Sequence, residues 1–233
     1  MSIIWRAALI LVQAVFNQAA CTPPNKTEEK FRYHTEEPLL LRIAPVIFKL
    51  HTVGLWWIAV LEGVAAINRV IGTSLSPSLS TYLDPALLSP SRSQKLLTPI
   101  FVTGIFLSVI GSCIRVRCFQ ELGQFFTFDL TIHPDHKLIT SGPYSYVRHP
   151  AYTGSLLLLI GVTFSHLTAG SLVVEYLLGS DGAVPVWAIW WIWTIAVAQS
   201  RVVAEDQELQ KRVGSEWDVY AAKVKYRLIP GVL

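Results

Sequence analysis

Charge is what this sequence has least of. Asp, Glu, Lys and Arg together make up 15% of its 233 residues, against about 25% in ordinary soluble proteins. With 52% hydrophobic residues and a mean hydropathy of +0.45, that scarcity excludes a compact two-domain soluble enzyme, and equally a disordered or collagen-like chain. The formal net charge is only +3, too small for a broad surface that binds nucleic acid. Cysteine is scarce too. Cys21, Cys113 and Cys118 form no CxxC pair and cannot build a disulfide framework. There is no Gly-x-Gly-x-x-Gly, no P-loop, no Gly-x-Ser-x-Gly and no internal repeat of 20–50 residues.

What the sequence has instead is long apolar runs. A spanning helix needs about 20 mostly apolar residues, and five segments qualify: roughly 3–21, 45–67, Leu97 to Ile114, Pro150 to Val174 and Gly182 to Ser200. The last two are joined by the short stretch Gly179-Ser180-Asp181-Gly182, which reads as the turn of a membrane hairpin. Lys and Arg are unevenly spread between the spans. The loops 22–44 and 115–149 and the tail from 201 carry 14 of them, against Arg6, Arg69, Arg92 and Lys95 on the other side. By the positive-inside rule the N-terminus is outside or lumenal and the tail cytoplasmic. The expected fold is all-α: a polytopic membrane helical bundle of about five transmembrane helices, with a C-terminal helical hairpin and a cytoplasmic amphipathic tail. Residues 1–96 supply N-terminal spans and loops; 97–233 hold the informative motifs.

Polar residues gather at the two ends of the expected hairpin, and topology brings those ends together at the cytoplasmic boundary. In Arg148-His149-Pro150-Ala151-Tyr152-Thr153-Gly154, Pro150 suits the first helical position, where its missing N–H costs nothing. His149 then lies near free backbone N–H groups that favour an electron-rich ligand. Gly154 permits close approach of a ligand or a helix. Arg201 and Glu205, four apart, share one helix face; the pair reads either as a surface ion pair or as an anion grip beside a hydrogen-bond acceptor. His133 and His136 form an HxxH without evident further ligands, so no metal is expected. Glu62, costly in lipid, should face the bundle interior or the boundary. In the tail, Leu209, Val213, Trp217, Tyr220, Val224 and Leu228 recur at helical steps, broken at Gly214 and restarted by Ser215-x-x-Asp218 as a capping box.

Taken together, residues 136–154 (HKLITSGPYSYVRHPAYTG), 201–209 (RVVAEDQEL) and 214–230 (GSEWDVYAAKVKYRLIP) resemble the isoprenylcysteine carboxyl methyltransferases, integral membrane enzymes. The likeness covers roughly residues 100–233. The Arg-His-Pro-x-Tyr-x-Gly element alone is shared with phospholipid methyltransferases and, more weakly, with sterol reductases. The resemblance implies methyl transfer from S-adenosylmethionine to the C-terminal carboxylate of a prenylated cysteine, a protein or a small molecule, at the cytoplasmic face of a membrane, the endoplasmic reticulum in a eukaryote. It further implies that His136, Lys137, Leu138, Ile139, Tyr144, His149, Pro150, Ala151, Tyr152 and Glu205 form the cofactor site. Arg201 would bind the substrate carboxylate, with Arg201 and Glu205 the catalytic pair. Asp129, seven residues before His136, stands where family members often have a polar residue that helps to hold the cofactor. An alternative is N-methylation of a phospholipid headgroup in the same pocket, against which a cationic Arg201 argues.

Overall fold

In a computed structural model the protein is described at residues 2–32, 39, 43–71, 96–131 and 137–232. Six α-helices follow one another among them: α1 (Ser2–Cys21), α2 (Ala44–Ile71), α3 (Pro99–Leu122), α4 (Pro150–His166), α5 (Gly179–Val213) and α6 (Ser215–Lys223), with a π-helical segment (Val173–Leu178) leading into α5. Extended chain contributes one isolated bridge, Arg32 to Thr131. The chain is an all-α polytopic bundle in which, among the described residues, four helical stretches are long and apolar enough to cross a membrane: Ser2–Cys21, Ala44–Asn68, Pro99–Phe125 and Asp181–Val213. Large apolar side chains lie bare on these helices, among them Trp57, Phe106, Ile189 and Ile192. Such a surface is matched to lipid rather than to water.

α4 has 17 residues, about 25 Å at 1.5 Å per residue. It ends at His166, well before the expected limit at Val174. The chain bends and turns through Leu167–Ser171, where Gly170 takes φ +89°. Gly179-Ser180-Asp181-Gly182, which reads as a turn, begins α5, with Gly179 itself at a non-helical φ of +65°. The expected third span is also longer than its apolar run: α3 continues past Ile114 to Leu122.

The fold divides into two compact units. The first comprises Met1–Gln18, Leu50–Val109 and Leu157–Trp190; the second comprises Ala19–Lys49, Ile110–Leu156 and Trp191–Leu233. In the first unit, Ile10, Ala14, Ala59, Phe101 and Ile105 form a buried apolar cluster. Several buried polar side chains of the unit bond to one another. Glu62 is fully buried and takes Arg6 Nε at 3.0 Å, while Arg6 Nη1 donates to the Leu96 carbonyl at 2.7 Å. Gln13 donates to the hydroxyls of Ser108 and Ser165, both at 2.8 Å, and its carbonyl lies 2.9 Å from His166 Nε2. Small residues let α3 and α4 touch here: a Cβ on Gly104 would lie 2.6 Å from the Gly161 carbonyl oxygen.

The second unit is built on two clusters. Cys118, Phe119, Phe126 and Tyr144 form one; Trp217, Tyr220 and Val224, with Leu138, Leu209 and Val213 against them, form the other. The tail periodicity is therefore the buried stripe of α5 and α6. Gly214 at φ +53° makes the break between them. The capping box does not form: Gly214 is the N-cap, and the Asp218 carboxylate accepts from Gln210 at 3.1 Å.

Candidate active site

The site lies within the second unit, and the first turn of α4 sets it up. Pro150 begins the helix, as its chemistry predicts. The N–H groups just ahead of it do not await a ligand. Arg148 N–H donates to the Tyr226 carbonyl at 3.0 Å, and His149 N–H to the Arg227 carbonyl at 2.9 Å. The Thr153 hydroxyl donates to the Leu228 carbonyl at 2.6 Å. The C-terminal segment thus takes the N–H groups of the two residues before the helix, while those of Tyr152 and Thr153 donate to the His149 carbonyl. Gly154, one turn further, serves a helix: a Cβ there would lie 2.7 Å from the Gly111 carbonyl oxygen of α3.

The start of α4 and the residue before it meet α5 through three hydrogen bonds. Nδ1 of His149 is 3.1 Å from Oε2 of Glu205, and Nε2 is 2.7 Å from Oδ1 of Asp206. The Tyr152 hydroxyl donates to Oε1 of Glu205 at 2.5 Å. Asp206 is also paired with Arg227 Nε at 3.0 Å and stands 3.7 Å from Arg148 Nη1. Both nitrogens of a histidine are donors only in the protonated ring, and here both face carboxylates. Burial alone would lower the His149 pKa; the hydrogen bonds to Asp206 and Glu205, and their charges, outweigh it and raise the pKa above the usual 6.5.

His149, Tyr152 and Glu205 edge a cavity of about 1430 Å³, its solvent-open part included. Lys137, Leu138, Ile139, Tyr144, His149, Ala151, Tyr152, Arg201 and Glu205 all line it. Pro150 does not reach it but positions its neighbours. His136 and His133 lie outside the described residues. Arg201 is buried, with Nη1 donating to the Phe128 carbonyl at 2.8 Å. Burial pushes the Tyr144 phenol well above its ordinary pKa and that of Tyr220 up to about 12, so both hydroxyls stay neutral at physiological pH. Tyr220 donates to the Tyr144 carbonyl at 2.8 Å, which ties α6 to the loop carrying Lys137–Tyr144. Asp129 lines the cavity as well and is paired with Arg32 at 2.9 Å.

Two contributors are not evident from the sequence. Arg115 reads as the first loop residue after an apolar run. It is instead buried inside α3 and lines the cavity, donating to the carbonyls of Ala20 and Ala151 and to the Ser155 hydroxyl. The rings of Phe119 and Phe128 lie 5.5 and 5.2 Å from its guanidinium carbon. Asp206 stands in the sequence as one half of an acidic pair; topology brings its stretch near His149 but does not single out the bond between them.

Comparison with known proteins bears on this arrangement. The family model described as isoprenylcysteine carboxyl methyltransferase (ICMT) family matches residues 103–180. A protein of Oryza sativa subsp. indica named "Probable protein-S-isoprenylcysteine O-methyltransferase" is 28% identical over 160 residues, 68% of this chain and 75% of its own length. The protein-S-isoprenylcysteine O-methyltransferase of Homo sapiens is 35% identical over 69 residues, 29% of this chain and 24% of its own. A 7-dehydrocholesterol reductase of Danio rerio is 30% identical over 104 residues, 45% of this chain but only 19% of its own. No solved structure gives a significant match.

Proposed function

Because the chain belongs to the isoprenylcysteine carboxyl methyltransferase family, we propose that it methylates the C-terminal carboxylate of a prenylated cysteine, using S-adenosylmethionine, in the cavity of its second unit. One observation carries the reading. Arg201 and Glu205, on one face of α5, line the same cavity as Lys137–Ile139, Tyr144 and the first turn of α4. An anion grip and a fixed carboxylate acceptor therefore share one chamber.

The residues fit the cofactor. Its ammonium and ribose hydroxyls require an acceptor, and Glu205 is one, held by Tyr152 and His149 with its side chain 26% exposed. Its cationic centre suits aromatic faces, and Phe126, Phe128, Tyr144 and Trp217 stand in the cavity wall. Lys137, Leu138, Ile139, Tyr144, Pro150, Ala151 and, by the resemblance, His136 complete the assigned site. S-adenosylmethionine, when bound, supplies an electrophilic methyl group.

The rest is the work of the chain. A substrate α-carboxyl has a pKa of about 3.5, so it arrives ionised and no general base is required. Arg201 orients it by charge-assisted hydrogen bonds. Sharing its Nη1 with the Phe128 carbonyl fixes the guanidinium and limits how far it can quench the nucleophile. Alignment and exclusion of water supply the remaining acceleration.

We assign α4 as a fifth crossing, paired with α5 as a C-terminal hairpin. Its length of about 25 Å approaches the roughly 27 Å hydrocarbon thickness of the endoplasmic reticulum. The 14-to-4 distribution of Lys and Arg supports a cytoplasmic site, and residues 97–233 form the methyltransferase core. The prenyl chain arrives from the surrounding lipid.

The test is methyl transfer from labelled S-adenosylmethionine to N-acetyl-S-farnesylcysteine in membranes containing the expressed chain. Base-labile ester above control membranes is expected. Labelling of an amine phospholipid with no ester formed would overturn the reading in favour of headgroup N-methylation.

A further inference from the structure

We propose that Asp206 and His149 are positioning residues for the transfer: Asp206 holds the His149 ring, and the ring holds Glu205 in the cavity wall. The inference rests on the reading of this cavity as the cofactor pocket.

Glu205 has two oxygens to fix. Tyr152 takes Oε1, and His149 Nδ1 takes Oε2 at 3.1 Å. A single bond leaves a carboxylate free to swing about its terminal torsion, which is broad; two from different directions stop it. The His149 ring could itself rotate, and Asp206, engaging Nε2 at 2.7 Å from the next position of α5, prevents that. Asp206 is held in turn by Arg227 at 3.0 Å and approached by Arg148 at 3.7 Å. The C-terminal segment is thereby tied to the cofactor end of the cavity through two positioning residues, and neither Asp206 nor Arg227 lines the cavity itself. With both ring nitrogens engaged and 4% of the residue exposed, His149 offers the cofactor a surface rather than a hydrogen bond.

The groups facing the ring are Glu205 and Asp206 from α5, Tyr152 from α4, Arg148 beside it and Arg227 from the C-terminal segment. Their charges make a two-sided test. Initial rates and calorimetric S-adenosylmethionine binding are measured on the purified full-length chain from pH 5.5 to 9. Wild type should bind the cofactor tightly at low pH and more weakly once the ring loses its proton. Asp206→Asn should raise KM for S-adenosylmethionine about tenfold with kcat changed less. It should also move the weakening to lower pH by about one unit, because a neighbouring carboxylate is lost. Arg227→Gln should move it the opposite way, because a neighbouring cation is lost. Asp206→Glu should recover part of the affinity. A purely structural role would lower the amount of folded enzyme and leave the pH of weakening in place in both variants, and that result overturns the proposal. No cofactor binding by wild type would overturn the pocket reading and this inference with it. Wild-type binding with unmoved profiles overturns this inference alone.

Discussion

The Tyr152 hydroxyl donates to Oε1 of Glu205 at 2.5 Å across 53 residues of chain. The bond joins the first turn of α4 to the stretch of α5 that carries Arg201. Removing it frees one side of a carboxylate that still keeps His149 on the other. A hydrogen bond to a charged group contributes about 1.5–3 kcal/mol, and about 1.4 kcal/mol is a factor of ten. Tyr152→Phe is therefore expected to raise KM for S-adenosylmethionine roughly tenfold while the chain folds normally, measured by initial rates at saturating prenylcysteine. An unchanged KM would mean that Glu205 does not meet the cofactor.

Two glycines mark where α3 and α4 touch, one in each unit. A Cβ on Gly104 would sit 2.6 Å from the Gly161 carbonyl oxygen, and one on Gly154 2.7 Å from that of Gly111. Neither obstacle is a flexible side chain, so the helices must part. Overpacking of this kind costs about 1–3 kcal/mol. Both Gly104→Ala and Gly154→Ala should lower the melting temperature in detergent. Only Gly154→Ala should also raise KM for the cofactor, because its helix turn carries Tyr152 and follows His149. Equal effects on KM would contradict the separation of the two sites.

The sequence made the junction of the two motif stretches legible because both lie at the ends of one apolar pair, so topology alone joins residues 148–152 to 201–206. Lys137, Tyr144, Arg201 and Glu205 came with the motifs. The interior polar contacts did not. Arg115 looks like a span terminus because hydropathy counts its charge and cannot see its partners, Ala20, Ala151 and Ser155, 36 to 95 residues away. Gly179 to Gly182 has the composition of a turn; bends and turns also occur at Leu167–Ser171, and Gly179 takes its positive φ at the junction of the π segment with α5. Ser215 and Asp218 have capping-box spacing, but Gln210 claims the carboxylate first.

Glu62, by contrast, announced itself. A carboxylate in an apolar run must find a partner, and Arg6 supplies it at 3.0 Å with both side chains buried. Breaking such a pair from one side leaves an uncompensated charge and costs about 3–5 kcal/mol, whereas replacing both partners with apolar residues is often neutral. Arg6→Met should therefore lower the melting temperature by several degrees, and Arg6→Met with Glu62→Leu should restore most of it. A double variant as unstable as the single one would show that the Leu96 carbonyl, which Arg6 also holds, matters more than the ion pair.

His149 gives stability a dependence on pH with a definite sign. Its folded pKa is raised above the unfolded value of 6.5 by the bonds to Asp206 and Glu205, against the opposing effect of burial. The folded state therefore binds the proton more tightly than the unfolded chain. The stabilisation is complete below pH 6.5 and fades as pH rises through the raised value. His149→Gln carries no such proton. The difference in melting temperature between wild type and this variant should stay constant on the acid side and shrink on the alkaline side of neutrality. Scanning fluorimetry across pH 5 to 9 measures it directly, and a difference that grows with pH would mean that the ring is neutral between its two carboxylates.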